Sequence, residues 1–517
     1  VGGDYLVGAG QEARFHNLAS GAYLLDGSAG AAPRLSIAGS VVVQDDRLLH
    51  AATGVEDQAG AGLAGGLVHV AAGGSLTVRA TGLVSSATAY DGGAARFVND
   101  GEVHVSAIGM AAGVSGGASG PVDVANAGQL DVSGAAAVGI EAHGGGAIAN
   151  AGSLHVSGPV ATGVSASAGE AGLAIDNSGE LLASSAPLFS SRGIQLSGGG
   201  EATIHNSGTI TAGVAVDAGS GGVRVVLDNG GQIQGDIELG DGAGSEVHNS
   251  GRIIGDVHLG GGALYDGAAG TLEGSIELGG GANTVVLGQD GGTVHGGAGA
   301  DTVASGAGDD LIDGAGGSDT VSYAAAAGGV TVSLALQGAA QDTGAGGHDT
   351  LSGVENLIGS AHGDILTGDE GDNQLTGGSG DDRLDGGAGA DTAVFSGARA
   401  AYLITTAEDG STTVSGADGT DVLVNVEKLA FSDGTIDTPA PGAGDGSGGS
   451  GPGEDGGSGG GSGDDGSGAA GQTITAPDDS GTALTGGAGA DVLVASHGAD
   501  VLTGGAGADV FTFQVTP

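Results

Sequence analysis

The chain has 517 residues, with 61 acidic against 11 basic ones and a formal charge of −50 at pH 7. That balance disfavours nucleic acid phosphates and anionic membrane surfaces as partners. Gly supplies 119 residues, aromatics only 3%, and Trp and Cys are absent, which excludes disulfide bracing and leaves little bulk for a conventional globular core. No run of about 18 apolar residues marks a membrane span.

The opening segment VGGDYLVGAG does not look like a signal peptide. The chain also lacks an initiator Met and reads as a fragment of a longer protein. From there to about residue 277 one pattern recurs, apolar-x-N-x-G-x-apolar-x-apolar. Its Asn falls at Asn99, Asn126, Asn150, Asn177, Asn206, Asn229 and Asn249. Recurrence at roughly 20–30 residues means a solenoid.

The columns around the Asn agree with that. Phe97, Val124, Ile148, Ile175, Ile204, Leu227 and Val247 precede it by two, and Val103, Leu130, Leu154, Leu181, Ile210, Ile233 and Ile253 follow it by four. Alternation with polar neighbours is the strand period. The simplest object over 1–277 is a right-handed parallel β-helix of about eleven coils, roughly 50 Å long at about 4.8 Å per coil. Stacked Asn side chains would form amide ladders at its turns. From Asn229 the coil shortens, and GDIELGDGAG, GDVHLGGGAL and GSIELGGGAN recur. Over about residues 90–286 this resembles the passenger regions of autotransporter adhesins and other bacterial surface β-helix proteins.

A nine-residue repeat follows, G-G-x-G-x-D-x-U-x with U apolar, as in GGAGADTVA from Gly296 and GGSGDDRLD from Gly377. Glycines permit the tight turn, the Asp offers a hard oxygen, and U plugs a narrow core. Three arrays are expected, at 278–322, 359–394 and 472–517. Their sixth positions are Asp301, Asp310 and Asp319, then Asp364, Asn373, Asp382 and Asp391, then Asp491, Asp500 and Asp509. These are the candidate metal residues, and oxygen donors in register point to Ca²⁺ rather than Zn²⁺. Asn283 lies two nonapeptides before Asp301, so the second solenoid is expected to continue the first without a flexible joint.

These repeats closely resemble the repeats-in-toxin (RTX) family. The resemblance implies a parallel β-roll with two repeats per coil and calcium between turns one full coil apart. It pairs Asp301 with Asp319, Asp364 with Asp382, Asn373 with Asp391, and Asp491 with Asp509. It also implies type I secretion, with folding on Ca²⁺ outside the cell. Asn373 loses a charge, so its site should be weaker, and Ser305 and Ala315 replace motif glycines. The segments 323–358 and 395–438, each with a V-E-x-L element at Val354-Glu355 and Val426-Glu427, read as β insertions that cap or bridge arrays. Residues 439–471 read as a Gly/Ser/Asp linker.

Other motifs have bland readings. His104, Asp131 and His155 share one outward position on successive coils; a metal-binding or pH-sensitive row is one reading, and a solvated, partly charge-compensating column is the favoured one. Gly113-Val114-Ser115-Gly116-Gly117 fits G-x-S-x-G but lacks a strand-to-helix setting. The expectation is an all-β, non-catalytic, extracellular calcium-binding solenoid. Its expected role is structural or adhesive at a bacterial cell surface, with self-association or a surface glycan as further partners. The rival is an accessory region of a secreted enzyme or toxin.

Overall fold

A computed structural model describes residues 34–45, 51–57, 67–80, 86–92, 96–116, 122–169, 172–187, 189–219, 222–240 and 244–440. It also describes the strands Tyr5–Val7, Glu12–His16, Leu24–Leu25, Thr473–Thr475, Ala483–Thr485, Val492–Ala495, Val501–Thr503 and Val510–Phe513. Contacts divide the chain into two units, Val1–Gly446 and Ser447–Pro517.

The first unit is a stack of coils. Among the described residues, eleven strands from Tyr5–Val7 to Leu264–Asp266 pair parallel and in register to form one column. Each of the seven pattern positions before the ladder Asn, Phe97 to Val247, is buried in it, as are the seven after, Val103 to Ile253. In the middle coils two further strands complete the circuit. Gln129–Ser133 and Ala136–Ala142 follow Asp123–Asn126 and stack on the same strands of the neighbouring coils.

The Asn residues close the corner between the first two strands. Asn126 Nδ2 donates to Asn150 Oδ1 at 2.7 Å and to the Ser153 carbonyl at 3.0 Å. The side-chain bond repeats from Asn99 through to Asn249 at 2.7–2.8 Å. Buried amides therefore satisfy one another along the axis, as buried polar groups must. The glycine two positions on is sterically required. A Cβ on Gly128 would lie 2.0 Å from the Gly101 carbonyl oxygen of the coil below.

Coil shortening has a structural cause. Thr209–Asp217 pairs with both Glu180–Ser184 and Ser191–Gly198, so two columns merge into one strand. They separate again as Arg252–Ile254 and Val257–Leu259, and the former column ends at Thr271–Glu273. A three-sided coil thereby becomes two-sided. The column through the Asn strands does not break: Thr284–Val286, Thr302–Ala304, Thr320–Ser322, Asn356–Ile358, Gln374–Thr376, Thr392–Val394 and Lys428–Phe431 extend it in parallel.

Two antiparallel excursions interrupt the opposite side. Ala340–Gly344 pairs back on Gly347–Ser352, and Leu403–Thr406, Thr412–Gly416 and Gly419–Val424 form a meander. The second is packed by Phe395, Tyr402 and Phe431, with ring centroids 5.3 Å apart. The second unit contains a three-stranded parallel sheet, Thr473–Thr475, Val492–Ala495 and Val510–Phe513, and a two-stranded one, Ala483–Thr485 and Val501–Thr503. Leu493 pairs with Phe511 and Leu484 with Leu502, again two repeats apart.

Candidate calcium sites

Three-residue strands begin at every ninth position from Thr284–Val286 through Thr293–His295, Thr302–Ala304, Leu311–Asp313 and Thr320–Ser322, alternating between two sheets. The spacing returns from Asn356–Ile358 to Thr392–Val394. The central residue of each strand faces the core: Val303, Ile312, Val321, Leu366, Leu375, Leu384 and Ala393 are buried. Alternate turns therefore stack directly on one another.

Each turn ends by burying its sixth side chain: Asp301, Asp310, Asp319, Asp364, Asn373, Asp382 and Asp391 are all buried, none more than 3% exposed. In Asp319, Asp382 and Asp391 one oxygen reaches back to the main chain of the preceding coil. Asp301 N donates to Asp319 Oδ1, Asp364 N to Asp382 Oδ1, and Asn373 N to Asp391 Oδ1, each at 2.8 Å. Three of the four pairs implied by the sequence are thus brought together. Asp491, Asp500 and Asp509, with the fourth pair, lie outside the described residues. Asn283 starts the series, its N–H donating to Asp301 Oδ1 at 2.8 Å.

The ladders continue into the excursions. Asp310 N donates to Asp349 Oδ1 at 2.9 Å and Asp382 N to Asp421 Oδ1 at 3.0 Å. Glu355 and Glu427 accept from Asp319 N and Asp391 N, each at 2.8 Å. Positions 310, 319, 349 and 355 correspond in order, at one constant offset, to 382, 391, 421 and 427, so roll and cap form a duplicated unit. Sequence reasoning missed Asp349 and Asp421. Their signal was the D-x-U triplet in Asp349-Thr350-Leu351 and Asp421-Val422-Leu423, hidden by the insertion before it.

The second carboxylate oxygens separate the sites. Oδ2 of Asp319, Asp382 and Asp391 is buried with no hydrogen-bond partner. Each lies over the glycine that opens its repeat: a Cβ on Gly314, Gly377 or Gly386 would fall 2.7, 2.1 or 2.6 Å from it. Asp310 differs because Ser305 stands at that position and donates Oγ to Asp310 Oδ2 at 2.5 Å. Asp364 Oδ2 accepts from Ser360 N at 2.5 Å, and Asp349 Oδ2 from Tyr323 Oη at 2.8 Å. Ala315 completes its turn at φ 62°, so neither replaced glycine prevents the turn.

Burial, then the charges of Asp301 and Glu355, push the Asp319 carboxyl up to about 6. Burial and Asp364 do the same to Asp382, to about 6, and Asp421 rises to about 7. Asp391 is raised by burial and by Glu427. Desolvated carboxylates with an unpartnered oxygen and like-charged neighbours are groups that a bound cation would stabilise. Among the described residues no three His, Cys, Asp or Glu side chains converge as a metal cluster. The rest of a cation's shell in these turns would therefore be main-chain carbonyls and water, a hard oxygen set suited to Ca²⁺.

Elsewhere the bland readings fit. Ser115 lies within the strand Met110–Gly116 and donates Oγ to Glu141 at 3.2 Å, away from any nucleophile elbow. His104 Nδ1 is 2.9 Å from Asp131, and His155 Nε2 is 3.1 Å from Glu180.

Among the described residues, fold and turns define the first unit as an all-β solenoid whose later turns stack buried Asp side chains in register. Residues 286–321, 358–393 and 483–512 match the family model of the RTX calcium-binding nonapeptide repeat (4 copies). The chain carries RTX repeats, and Ca²⁺ is their ligand. These repeats are structural rather than catalytic units. No curated protein matches the chain.

Proposed function

We propose that this chain is part of a secreted, calcium-stiffened structural or adhesive protein of a bacterial cell surface. On this reading Asp301, Asp319, Asp364, Asp382, Asn373 and Asp391 form the calcium-holding turns, and Asp310 belongs to a turn that Ser305 partly satisfies without metal. By analogy of motif, Asp491, Asp500 and Asp509 extend the set.

The observation that carries this is the burial of Asp319, Asp382 and Asp391 with an unpartnered oxygen in coils that continue the Asn-ladder stack. Without a cation, these charges oppose the coil stacking that the apolar plugs favour. With one, stacking closes and the roll stiffens. Extracellular calcium modules bind at about 10⁻⁴–10⁻³ M, and at tenfold excess each independent site adds about 1.4 kcal/mol. Such a chain stays open in a low-calcium cytosol and folds outside.

Circular dichroism and small-angle scattering in chelator and in millimolar Ca²⁺ test this. Gain of β signal and compaction confined to the roll region supports it. Identical spectra and dimensions in both conditions refute it.

A further inference from the structure

The two copies of the duplicated unit share a frame but not their hydroxyls. At the offset that carries Asp310 to Asp382 and Asp349 to Asp421, the strands Ala340–Gly344 and Gly347–Ser352 map onto Thr412–Gly416 and Gly419–Val424. Main-chain bonds repeat as well: His348 N donates to Asp309 Oδ1 and Thr420 N to Asp381 Oδ1, each at 2.9 Å. At the same offset, however, Ser305 corresponds to Gly377 and Tyr323 to Phe395. The junctions therefore differ in the side chains that meet the ladder carboxylates.

In the first junction the chain supplies the donors itself. Asp310 Oδ1 accepts from Gly292 N at 2.7 Å, and its Oδ2 from Ser305 Oγ at 2.5 Å and Gly306 N at 3.2 Å. Asp349 Oδ1 accepts from Asp310 N at 2.9 Å, and its Oδ2 from Tyr323 Oη at 2.8 Å. Thr343 Oγ1 stands 3.1 Å from that Oδ2 and shares its one proton with the Gly347 carbonyl at 2.9 Å. Tyr323, Thr343 and Asp349 are fully buried. Gly346 makes room for them, since a Cβ there would lie 2.7 Å from both Thr343 Oγ1 and a ring carbon of Tyr323. In the second junction Asp418 stands at that place. The hydroxyls of Ser396 and Tyr402 donate to Asp418, each at 2.5 Å. Asp382 Oδ2 receives no hydrogen bond, and Phe395 carries no hydroxyl for Asp421.

Burial raises the carboxyls of Asp310 and Asp382 alike, to about 6. At Asp310 three hydrogen bonds oppose it and Asp349 adds to it. At Asp382 one hydrogen bond opposes it, and Asp364, Asp381 and Asp418 add to it. We propose, on the calcium role given above to Asp382, that Ser305, Tyr323 and Thr343 make the Asp310–Asp349 junction independent of calcium, their hydroxyls standing in for the cation. A buried carboxylate met by hydroxyl and amide donors avoids the penalty of an orphaned one. The strand Gly347–Ser352 then stays paired with Leu311–Asp313 when calcium is withdrawn, while Gly419–Val424 loosens from Arg383–Asp385. Asp319, in the other sheet, keeps its unpartnered oxygen, so the lock holds one side of the coil. Because each solenoid unit leans on its neighbours, the locked strand is a fixed edge from which the following turns refold.

The test is hydrogen exchange of this chain read by mass spectrometry, in millimolar Ca²⁺ and in chelator. Chelation should speed exchange at least about tenfold in 419–424 and leave 347–352 unchanged. Ser305→Gly with Tyr323→Phe gives the first junction the residues of the second. It should carry the calcium dependence over to 347–352, with exchange faster in chelator and restored by calcium. Tyr323→Phe alone keeps the ring and should move 347–352 in the same direction if the double variant does not fold. Equal acceleration of both strands in the unsubstituted chain overturns the proposal and leaves the calcium role of Asp382 standing. No acceleration in either strand overturns that calcium role and the contrast with it. Faster exchange in the variants that calcium does not restore also overturns the proposal, and reduces the hydroxyls to packing.

Discussion

The main-chain N–H of Asp364 donates to Asp382 Oδ1 across 2.8 Å, while Asp382 Oδ2 is buried with no partner. One half of the carboxylate holds the coils in register, and the other half receives no hydrogen bond. The same division repeats at Asp319 and Asp391, and the proposed calcium role of these carboxylates predicts several measurable effects.

Acid should act in opposite directions with and without calcium. Asp319 and Asp382 titrate at about 6 and Asp421 at about 7, against 3.8 for an ordinary Asp. A raised folded-state value means the folded chain binds more protons, so this contribution is fully present below 3.8 and is lost as pH rises through 6 to 7. The calcium-free roll should gain stability on acidification from pH 7 to 4. The calcium-loaded roll should lose it, because protonation removes the ligands. Thermal melts across that range, in chelator and in calcium, check the crossing of the two curves.

Gly377→Ala should be costly despite its small size. The new methyl would lie 2.1 Å from Asp382 Oδ2, and overpacking of this kind costs about 1–3 kcal/mol. The loss should be accompanied by weaker calcium binding, read by calorimetry. The same change at Gly280, whose Cβ meets nothing within 4 Å, should leave affinity unchanged.

Ser305→Gly should create calcium dependence where little exists. It removes the Oγ donor from Asp310 Oδ2, leaving only Gly306 N, at 3.2 Å. The calcium-free protein should be destabilised by about 1–3 kcal/mol, the cost of an under-satisfied buried group. Calcium should recover part of that loss, seen as a larger calcium-induced shift in melting temperature than in the unsubstituted chain.

Asn150→Ala tests the first half independently of metal. It removes one of the two acceptors of Asn126 Nδ2, which keeps the Ser153 carbonyl, and takes the donor away from Asn177 Oδ1 and from the Glu180 carbonyl, a loss of about 1–3 kcal/mol for each buried group left under-satisfied. Because solenoid stability is transmitted between nearest neighbours, hydrogen exchange should accelerate in the adjacent coils first. Calcium should not reverse it.

Much of this architecture was legible because solenoids write their geometry as spacing. The Asn intervals located the amide ladder, and Asn283 located the start of the nonapeptide register. What spacing could not show is where a coil is interrupted. Asp349 and Asp421 stack on Asp310 and Asp382 only after an antiparallel excursion, so a strict two-repeat rule passes over them. Glu355 and Glu427 stood out as a motif, but a longer side chain substituting for Asp at a ladder end is visible only once Asp319 N and Asp391 N are placed. The reach of Ser305 Oγ to Asp310 is likewise a three-dimensional fact; from sequence the serine reads only as a missing glycine.

The most direct test of the account is anomalous diffraction from crystals of this chain grown in millimolar calcium. Peaks beside Oδ2 of Asp319, Asp382 and Asp391, with turn carbonyls completing the shell at about 2.3–2.6 Å, are the predicted result. Well-ordered turns with no anomalous peak at any of the three carboxylates would contradict it.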